Sequence, residues 1–117
     1  YPDVAQLVGE AVAAGEFQKG FLLDGFGGAV CLAANKIPGV RAVTGYDTFS
    51  AKLAAQHDDA NILCLGGKTH GELALQEIVK SFLSTAFEGG RHERRLEKIQ
   101  MIEKKYSVAP PRGSVSR

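Results

Sequence analysis

The sequence contains no long hydrophobic run, so nothing in its 117 residues has the length of a membrane-spanning segment, and it shows no signal-peptide pattern. It also lacks an excess of charge of one sign, because 14 Lys and Arg are balanced by 13 Asp and Glu. We therefore predict no bulk attraction to nucleic acid or membrane. Cysteine is scarce: Cys31 and Cys64 form no CxxC or His-rich pattern, which favours buried free thiols, a reducing cytoplasm and no metal site.

The composition that remains is ordinary for a globular protein, with 44% hydrophobic and 23% charged residues. A chain of this length is predicted to form one domain around a single core. We assign residues 1–106 to that domain. Residues 107–117 include two prolines and almost no apolar side chains, so we predict a flexible C-terminal tail there.

Short apolar runs alternate with helical patterns along the chain. The periodicity predicts strands over residues 20–24, 41–44 and 61–65, and helices over residues 3–14, 29–36, 48–57, 72–85 and 91–106. Asp47 is a candidate N-cap of the third helix. The third strand is continuously apolar, as in strands that are covered on both faces. This alternation predicts an α/β fold with a parallel sheet.

Residues 20–36, GFLLDGFGGAVCLAANK, combine a strand, a glycine-rich turn and a helix. Gly25, Gly27 and Gly28 permit left-handed backbone angles, and the helix that follows offers unpaired N–H groups. Asp24 is the first residue off the strand, at the end where open α/β sheets place their ligands. The turn either binds a phosphate or oxyanion or is only a tight connection, because GFGGA lacks the complete dinucleotide and P-loop signatures.

Six blocks of sequence, covering about residues 1–106 in the same order, carry a family resemblance. With them the chain resembles the sugar-phosphate isomerases of the ribose-5-phosphate isomerase type B and galactose-6-phosphate isomerase group. The blocks are Tyr1-Pro2-Asp3, the glycine loop with Ala33-Ala34-Asn35-Lys36, Ile37-Pro38-Gly39-Val40-Arg41, His57-Asp58-Asp59-Ala60-Asn61, Leu65-Gly66-Gly67, and Glu88-Gly89-Gly90-Arg91-His92-Glu93-Arg94-Arg95.

The resemblance implies a Rossmann-like three-layer α/β/α sandwich with a parallel sheet. The family's N-terminal strands and the helix between them have no counterpart in this chain, and that region normally carries an acidic and histidine pair of the active site. Without those strands, the strand over residues 21–23 is expected to have an open edge.

The resemblance also implies an activity, the interconversion of an aldose phosphate and a ketose phosphate through an enediolate. The implied protein is a cytoplasmic isomerase of carbohydrate metabolism, such as the pentose phosphate pathway, acting on ribose 5-phosphate or a related hexose 6-phosphate. It needs no metal or organic cofactor and has no nucleic-acid or membrane partner. The implied assembly is a homodimer or tetramer, or a hetero-oligomer, with active sites shared between subunits.

Two positions of the glycine loop depart from the family pattern. Asp24 stands where many type B enzymes have a catalytic cysteine, and it is either the base or an acceptor of N–H bonds from the loop. Phe26 stands where those enzymes usually carry a threonine hydroxyl. Together they are more similar to the galactose-6-phosphate isomerase subunit that lacks the catalytic cysteine, so a non-catalytic sugar-phosphate-binding subunit is the alternative function. The residues expected to bind an oxyanion or substrate are Gly25, Phe26, Gly27, Gly28 and Ala29.

His57 and Asp58 follow the third helix. His57 matches the family histidine credited with opening the sugar ring, although a histidine at this position can also be a cap favoured by the helix dipole. Asp58 stands where the family commonly has a substrate-binding asparagine. We include both residues in the predicted site.

The predicted phosphate site consists of Arg91, His92 and Arg95. The two arginines are four residues apart and share a helix face, where their forked donors suit a phosphate. The family likeness implies that this helix reaches into the active site of a neighbouring subunit, and the alternative is a solvated basic turn. Lys68, where the family often has arginine, is a further phosphate candidate. A nucleotide-binding module is a weaker interpretation, because the glycines lack the fingerprint.

Overall fold

The computed structural model describes residues 1–107. Its helices are α1 (Pro2–Ala13), α2 (Ala29–Ala34), α3 (Thr48–Gln56), α4 (Glu72–Leu83) and α5 (Arg91–Tyr106), and its strands are β1 (Gly20–Asp24), β2 (Ala42–Thr44) and β3 (Ile62–Gly66). Every predicted element is present, with ends that differ by at most two residues. The predicted flexible tail over 107–117 lies outside the described residues, apart from Ser107.

The three strands form a parallel sheet in the order β1-β3-β2. Gly20 is opposite Ile62 and Asp24 is opposite Gly66, while Ala42 is opposite Ile62 on the other side of β3. All five residues of β3 are buried, as the continuous apolar run predicts for a strand with both faces covered. Within the described chain β1 pairs with β3 alone, so its other side is the expected open edge.

Two hydrophobic clusters make the sheet the middle of three layers. On one face, α1 and α2 pack on the sheet through residues that include Ala5, Val12, Val30, Ala34, Leu22, Ile62 and Cys64. On the other face, α3 and α4 do so through Ala51, Ala54, Ala55, Leu63, Leu65, Ile78 and Phe82. The predicted three-layer α/β/α sandwich is confirmed.

A capping box fixes where α3 begins. The Asp47 carboxylate accepts the Ser50 N–H at 2.7 Å, and the Ser50 hydroxyl oxygen accepts the Asp47 N–H at 3.1 Å. This reciprocal pair satisfies N–H groups that the first turn leaves unpaired. From that start, nine helical residues place His57 at the C-cap of α3.

Helix α5 is packed differently from the others. Of its 16 residues only His92 is buried. More than half of the surface is exposed for each of Ile99, Met101, Ile102 and Tyr106. Farther along the helix, the Glu103 carboxylate accepts the Gly39 N–H at 3.2 Å. None of the described helices has the length and apolar character needed to cross a membrane.

Candidate active site

The parallel topology divides the predicted site residues between two edges of the sheet. Asp24 ends β1 and is in register with Gly66, the last residue of β3, so the glycine loop and Lys68 follow at this carboxyl edge. Helices α3 and α4 return from that edge, so the residues that follow them lie at the amino edge. We call the first set, Asp24, residues 25–29 and Lys68, the carboxyl-edge group.

The second set, which we call the amino-edge group, comprises His57, Asp58, Arg91, His92 and Arg95. Its residues follow α3 or lie at the beginning of α5, whereas the residues of the carboxyl-edge group lie at the end of β1 or follow β1 or β3. The length of β3 separates the two edges by about 13 Å, at about 3.3 Å per residue. One copy of the chain therefore does not bring the predicted base, Asp24, to the predicted ring-opening group, His57. Lys68 is likewise apart from the two arginines.

The half-buried Asp24 carboxylate lies inside the glycine loop. One oxygen, Oδ1, accepts the Gly27 N–H at 2.5 Å, and the other, Oδ2, accepts the Val30 N–H at 3.2 Å. The structure thus shows the loop-binding role that the sequence left open for Asp24. Within the described residues, the N–H groups of Gly28 and Ala29 have no hydrogen-bond partner, and these are donors that the loop can offer to an oxyanion.

Close contacts fix the loop against the strand ends. Gly27 has a φ of +84°, and a Cβ added there would lie 2.9 Å from Cγ2 of Thr44. The Thr44 hydroxyl donates to the Gly27 carbonyl at 2.7 Å. The exposed Phe26 ring folds back over Gly28, where an added Cβ would overlap it. An aromatic ring therefore covers part of the loop.

The segment after β3 completes the carboxyl edge. The Gly67 N–H donates to the Asp24 carbonyl at 2.8 Å, and the Lys68 N–H donates to the Gly25 carbonyl at 2.9 Å. The Lys68 side chain is exposed, and its Cδ would lie 3.8 Å from a Cβ added at Gly25. His70 bridges two loops, with Nδ1 2.8 Å from the Thr69 hydroxyl and Nε2 2.5 Å from the Tyr46 carbonyl.

The amino-edge group contains a pair of stacked histidines. The rings of His57 and His92 lie 4.2 Å apart between centroids, with 14° between their planes. His92 is only 5% exposed, and its Nε2 lies 3.1 Å from Oε1 of Glu88. The Glu88 N–H donates to the Gln56 carbonyl at 2.9 Å, at the end of α3. Sequence reasoning missed Glu88, although its spacing of four residues from His92 was a usable signal.

Arg91 and Arg95 are exposed at the start of α5. In the part of the chain that the structure describes, neither guanidinium forms an ion pair, and the only bridges are Arg41 with Asp59 and His92 with Glu88. Both forked donors are thus available to an anion. Asp58, which follows α3, is also exposed.

His57, Glu88 and His92 are also the described residues with ligand atoms close enough to consider a metal, all within 4.8 Å of one another. Two imidazoles and a carboxylate are ligands that suit zinc. The two rings are nearly parallel, however, so their in-plane lone pairs run side by side and do not converge. The geometry fits a hydrogen-bonded stack better than a coordination site.

Cys64 is buried in the core and Cys31 is only partly buried, so the prediction of buried thiols is correct for Cys64 alone. The Cys31 Sγ donates to the Ala42 carbonyl at 3.4 Å. A hydrogen bond from Cys64 lowers the pKa of Cys31 to about 6, against the opposing effect of burial. The same bond, together with burial, raises the pKa of Cys64. Both thiols are free, as predicted.

The chain is similar in sequence and in fold to known proteins. Residues 1–99 match the family model described as Ribose/Galactose Isomerase. The chain is 42% identical to ribose-5-phosphate isomerase B of Escherichia coli over 105 residues, which is 90% of this chain and 70% of the relative.

Two solved structures give the same result. Type B ribose 5-phosphate isomerase of Trypanosoma cruzi is 46% identical with a TM-score of 0.89, covering 91% of this chain and 71% of that one. Ribose-5-phosphate isomerase B of Mycoplasma genitalium, solved with bound ribulose-5-phosphate, is 44% identical with a TM-score of 0.86, covering 90% and 70%.

Proposed function

Because this chain belongs to the ribose/galactose isomerase family, we propose that it interconverts an aldose phosphate and a ketose phosphate through an enediolate. The observation that carries the proposal is the pair of edge groups. One has a carboxylate and the Gly28 and Ala29 N–H groups, and the other has a histidine and two arginines that form no ion pair within residues 1–107. Ribose 5-phosphate is the first substrate to test, because the relatives from E. coli and T. cruzi are named for it.

We propose that each active site forms between two copies of the chain. The carboxyl-edge group of one copy and the amino-edge group of the other would surround one sugar phosphate, since a single copy holds them about 13 Å apart along β3. The exposed apolar side chains of α5 support this assembly, because a helix with one buried residue has a surface left to pack against a partner. The minimal assembly is a homodimer.

Within that site, each group has a proposed role. His57 transfers a proton to and from the ring oxygen, because imidazole both gives and takes protons near neutral pH. Arg91 and Arg95 bind the phosphate with forked donors. The Gly28 and Ala29 N–H groups stabilise the enediolate oxygen, and Asp24 moves the carbon-bound proton. These are proton transfers only, so we propose no cofactor.

A second candidate is a sugar-phosphate-binding subunit without turnover. Two observations favour it. Both oxygens of Asp24 already accept loop N–H bonds, so only the second lone pair of each oxygen is left to take a proton from carbon. The Phe26 ring also has no hydroxyl with which to relay a proton.

The test is an isomerisation assay on the full-length protein with ribose 5-phosphate, allose 6-phosphate and galactose 6-phosphate. Turnover of at least one sugar is expected, and Asp24→Asn should lower kcat by about 100-fold or more if the carboxylate is the base. Asp47→Asn is the matched control, because it removes an exposed carboxylate at the same edge of the sheet.

The results of this assay distinguish an isomerase that uses Asp24 as its base from a sugar-phosphate-binding subunit without turnover. Turnover that Asp24→Asn leaves unchanged would contradict the base assignment. No turnover by the wild type, together with a rise in Tm on adding the same sugars, would favour the binding subunit.

A further inference from the structure

We propose that Glu88 is a positioning residue that acts through His92 to hold the His57 ring in place for proton transfer. The inference rests on the proposed function, in which His57 opens the sugar ring. It goes beyond that function by giving Glu88 a role and by moving His92 from phosphate binding to the support of His57.

Glu88 is tied to the same end of α3 as His57. Its N–H donates to the Gln56 carbonyl at 2.9 Å, one residue before His57. The chain then turns through Gly89 and Gly90, which have φ values of +74° and +60°, conformations that a side chain would strain. This turn brings the first residues of α5 back, so that His92 lies beside the Glu88 carboxylate.

The carboxylate determines where His92 carries its proton. A carboxylate only accepts hydrogen bonds, so the nitrogen that lies 3.1 Å from Glu88, Nε2, must be the one with the hydrogen. The neutral ring is then held as the Nε2–H tautomer, and its orientation is fixed by the same bond. Because half of the Glu88 side chain is exposed, the bond is accessible to substitution without opening the core.

His92 in turn supports His57 by ring stacking. With 4.2 Å between centroids and 14° between planes, the His57 ring cannot tilt toward His92 without displacing it. His92 is itself only 5% exposed and is held by Glu88, so its ring is a fixed surface on which the more exposed His57 ring packs.

The same geometry argues against a phosphate role for His92. One ring nitrogen faces Glu88, and a carboxylate 3.1 Å away repels an approaching anion. The two exposed arginines at the start of α5 have neither disadvantage. We therefore assign the phosphate to Arg91 and Arg95 alone.

The experiment compares Glu88→Ala and Glu88→Gln with the wild type in the full-length protein. Imidazole ¹⁵N chemical shifts report the His92 tautomer, and steady-state kinetics with the sugar that the wild type isomerises fastest report kcat and KM. For Glu88→Ala we expect a mixture of tautomers and a kcat lowered about tenfold, with KM within about twofold, a change of about 1.4 kcal/mol in the barrier. Glu88→Gln keeps an acceptor oxygen and should restore the tautomer and most of kcat.

Glu93→Gln is the matched control, since it removes an exposed carboxylate from the first turn of α5, and among the described residues Glu93 has no side-chain bond to His92. It should leave both the tautomer and kcat at wild-type values. If Glu88→Ala retains the Nε2–H tautomer, or keeps kcat within about twofold, the positioning role is wrong. If Glu88→Ala lowers both kcat and Tm while the His92 tautomer stays unchanged, Glu88 has a structural role only, and this result also overturns the proposal.

The result for Glu88 can be distinguished from a failure of the proposed isomerase activity. If the wild type turns over none of the sugars, the kinetic part of the proposal fails with it. A tautomer change in Glu88→Ala would then still show that Glu88 orients His92, whereas an unchanged spectrum would reject the contact as well.

Discussion

Asp47 holds the start of α3 through two bonds to Ser50, and its charge makes this cap sensitive to pH. The Ser50 N–H, and then the Ser50 hydroxyl, lower the pKa of Asp47 below its ordinary 3.8. A carboxyl group with a lowered folded pKa contributes stability above its unfolded pKa and loses it as the pH falls through the folded value. We therefore expect the Tm of the wild type to exceed that of Asp47→Asn at neutral pH and to lose this advantage below about pH 4.

Thermal unfolding of both proteins from about pH 7 to pH 2 measures this difference. Asparagine caps a helix nearly as well as aspartate but does not titrate, so it isolates the charge. Ser50→Ala removes the other side chain of the capping box, and this variant should have a lower Tm than the wild type over the whole pH range. A Tm difference that stays constant through acid would contradict the prediction.

For Asp24, the sequence predicts where the carboxylate lies but not which hydrogen bonds it accepts. Its position after a strand predicted a carboxylate at the carboxyl edge, and the structure places it there. Which hydrogen bonds it makes depends on how residues 25–30 wrap around it, and that path is set by contacts with Thr44 and Leu65, which are distant in sequence. Local pattern carries no information on such contacts.

Among the structural elements, we expect the glycine loop to tolerate a methyl group at Gly28 but not at Gly27. Gly27→Ala would place a Cβ in the left-handed region, 2.9 Å from Thr44 and 3.1 Å from the Leu65 backbone. We expect it to lower the free energy of unfolding by about 2 kcal/mol or more. Chemical denaturation of the variant and the wild type measures the loss.

Gly28→Ala is the matched control, with the same substitution one residue later. Gly28 has an ordinary φ of −88°, and its obstacle is the ring of Phe26, which is 59% exposed and free to rotate away. The change should cost less than about 1 kcal/mol. Equal losses for the two variants would mean that backbone conformation is not what requires glycine at position 27.

Most of the elements themselves were predictable, and the reason is physical. Apolar runs and helical periodicity predicted the strands and helices, because each strand of this sheet is short and each of α1, α2, α3 and α4 has one face on the core. Helix α5 is the informative case: its range was predicted correctly, yet Ile99, Met101 and Ile102 are exposed. Helical periodicity indicates an apolar face but not what packs against it.

For the whole molecule, the two edge groups predict that inactive variants will complement each other. Asp24→Asn damages the carboxyl-edge group and His57→Asn the amino-edge group. In a mixed dimer with shared sites, one site receives both changes and the other receives neither. Random mixing of equal amounts should therefore restore about a quarter of wild-type activity, from two variants that are each nearly inactive.

The control is a double variant with both changes, mixed equally with the wild type. If sites are shared, every mixed dimer is inactive and about a quarter of the activity remains; if each chain holds a whole site, about half remains. Mixtures of the single variants with no more activity than their sum would contradict the shared site. The sequence placed Asp24 and His57 in one predicted site, and their separation became visible only from the parallel strand order and the return of α3.

The sparse packing of α5 has a consequence for how the native state opens. The segments of a protein that exchange their amide hydrogens first are those with few buried contacts, and α5 contributes one buried side chain over 16 residues. A helix of this length is only marginally stable by itself in water. In the isolated chain α5 should therefore unfold locally at a small fraction of the global free energy, carrying Arg91 and Arg95 with it, while the sheet remains intact.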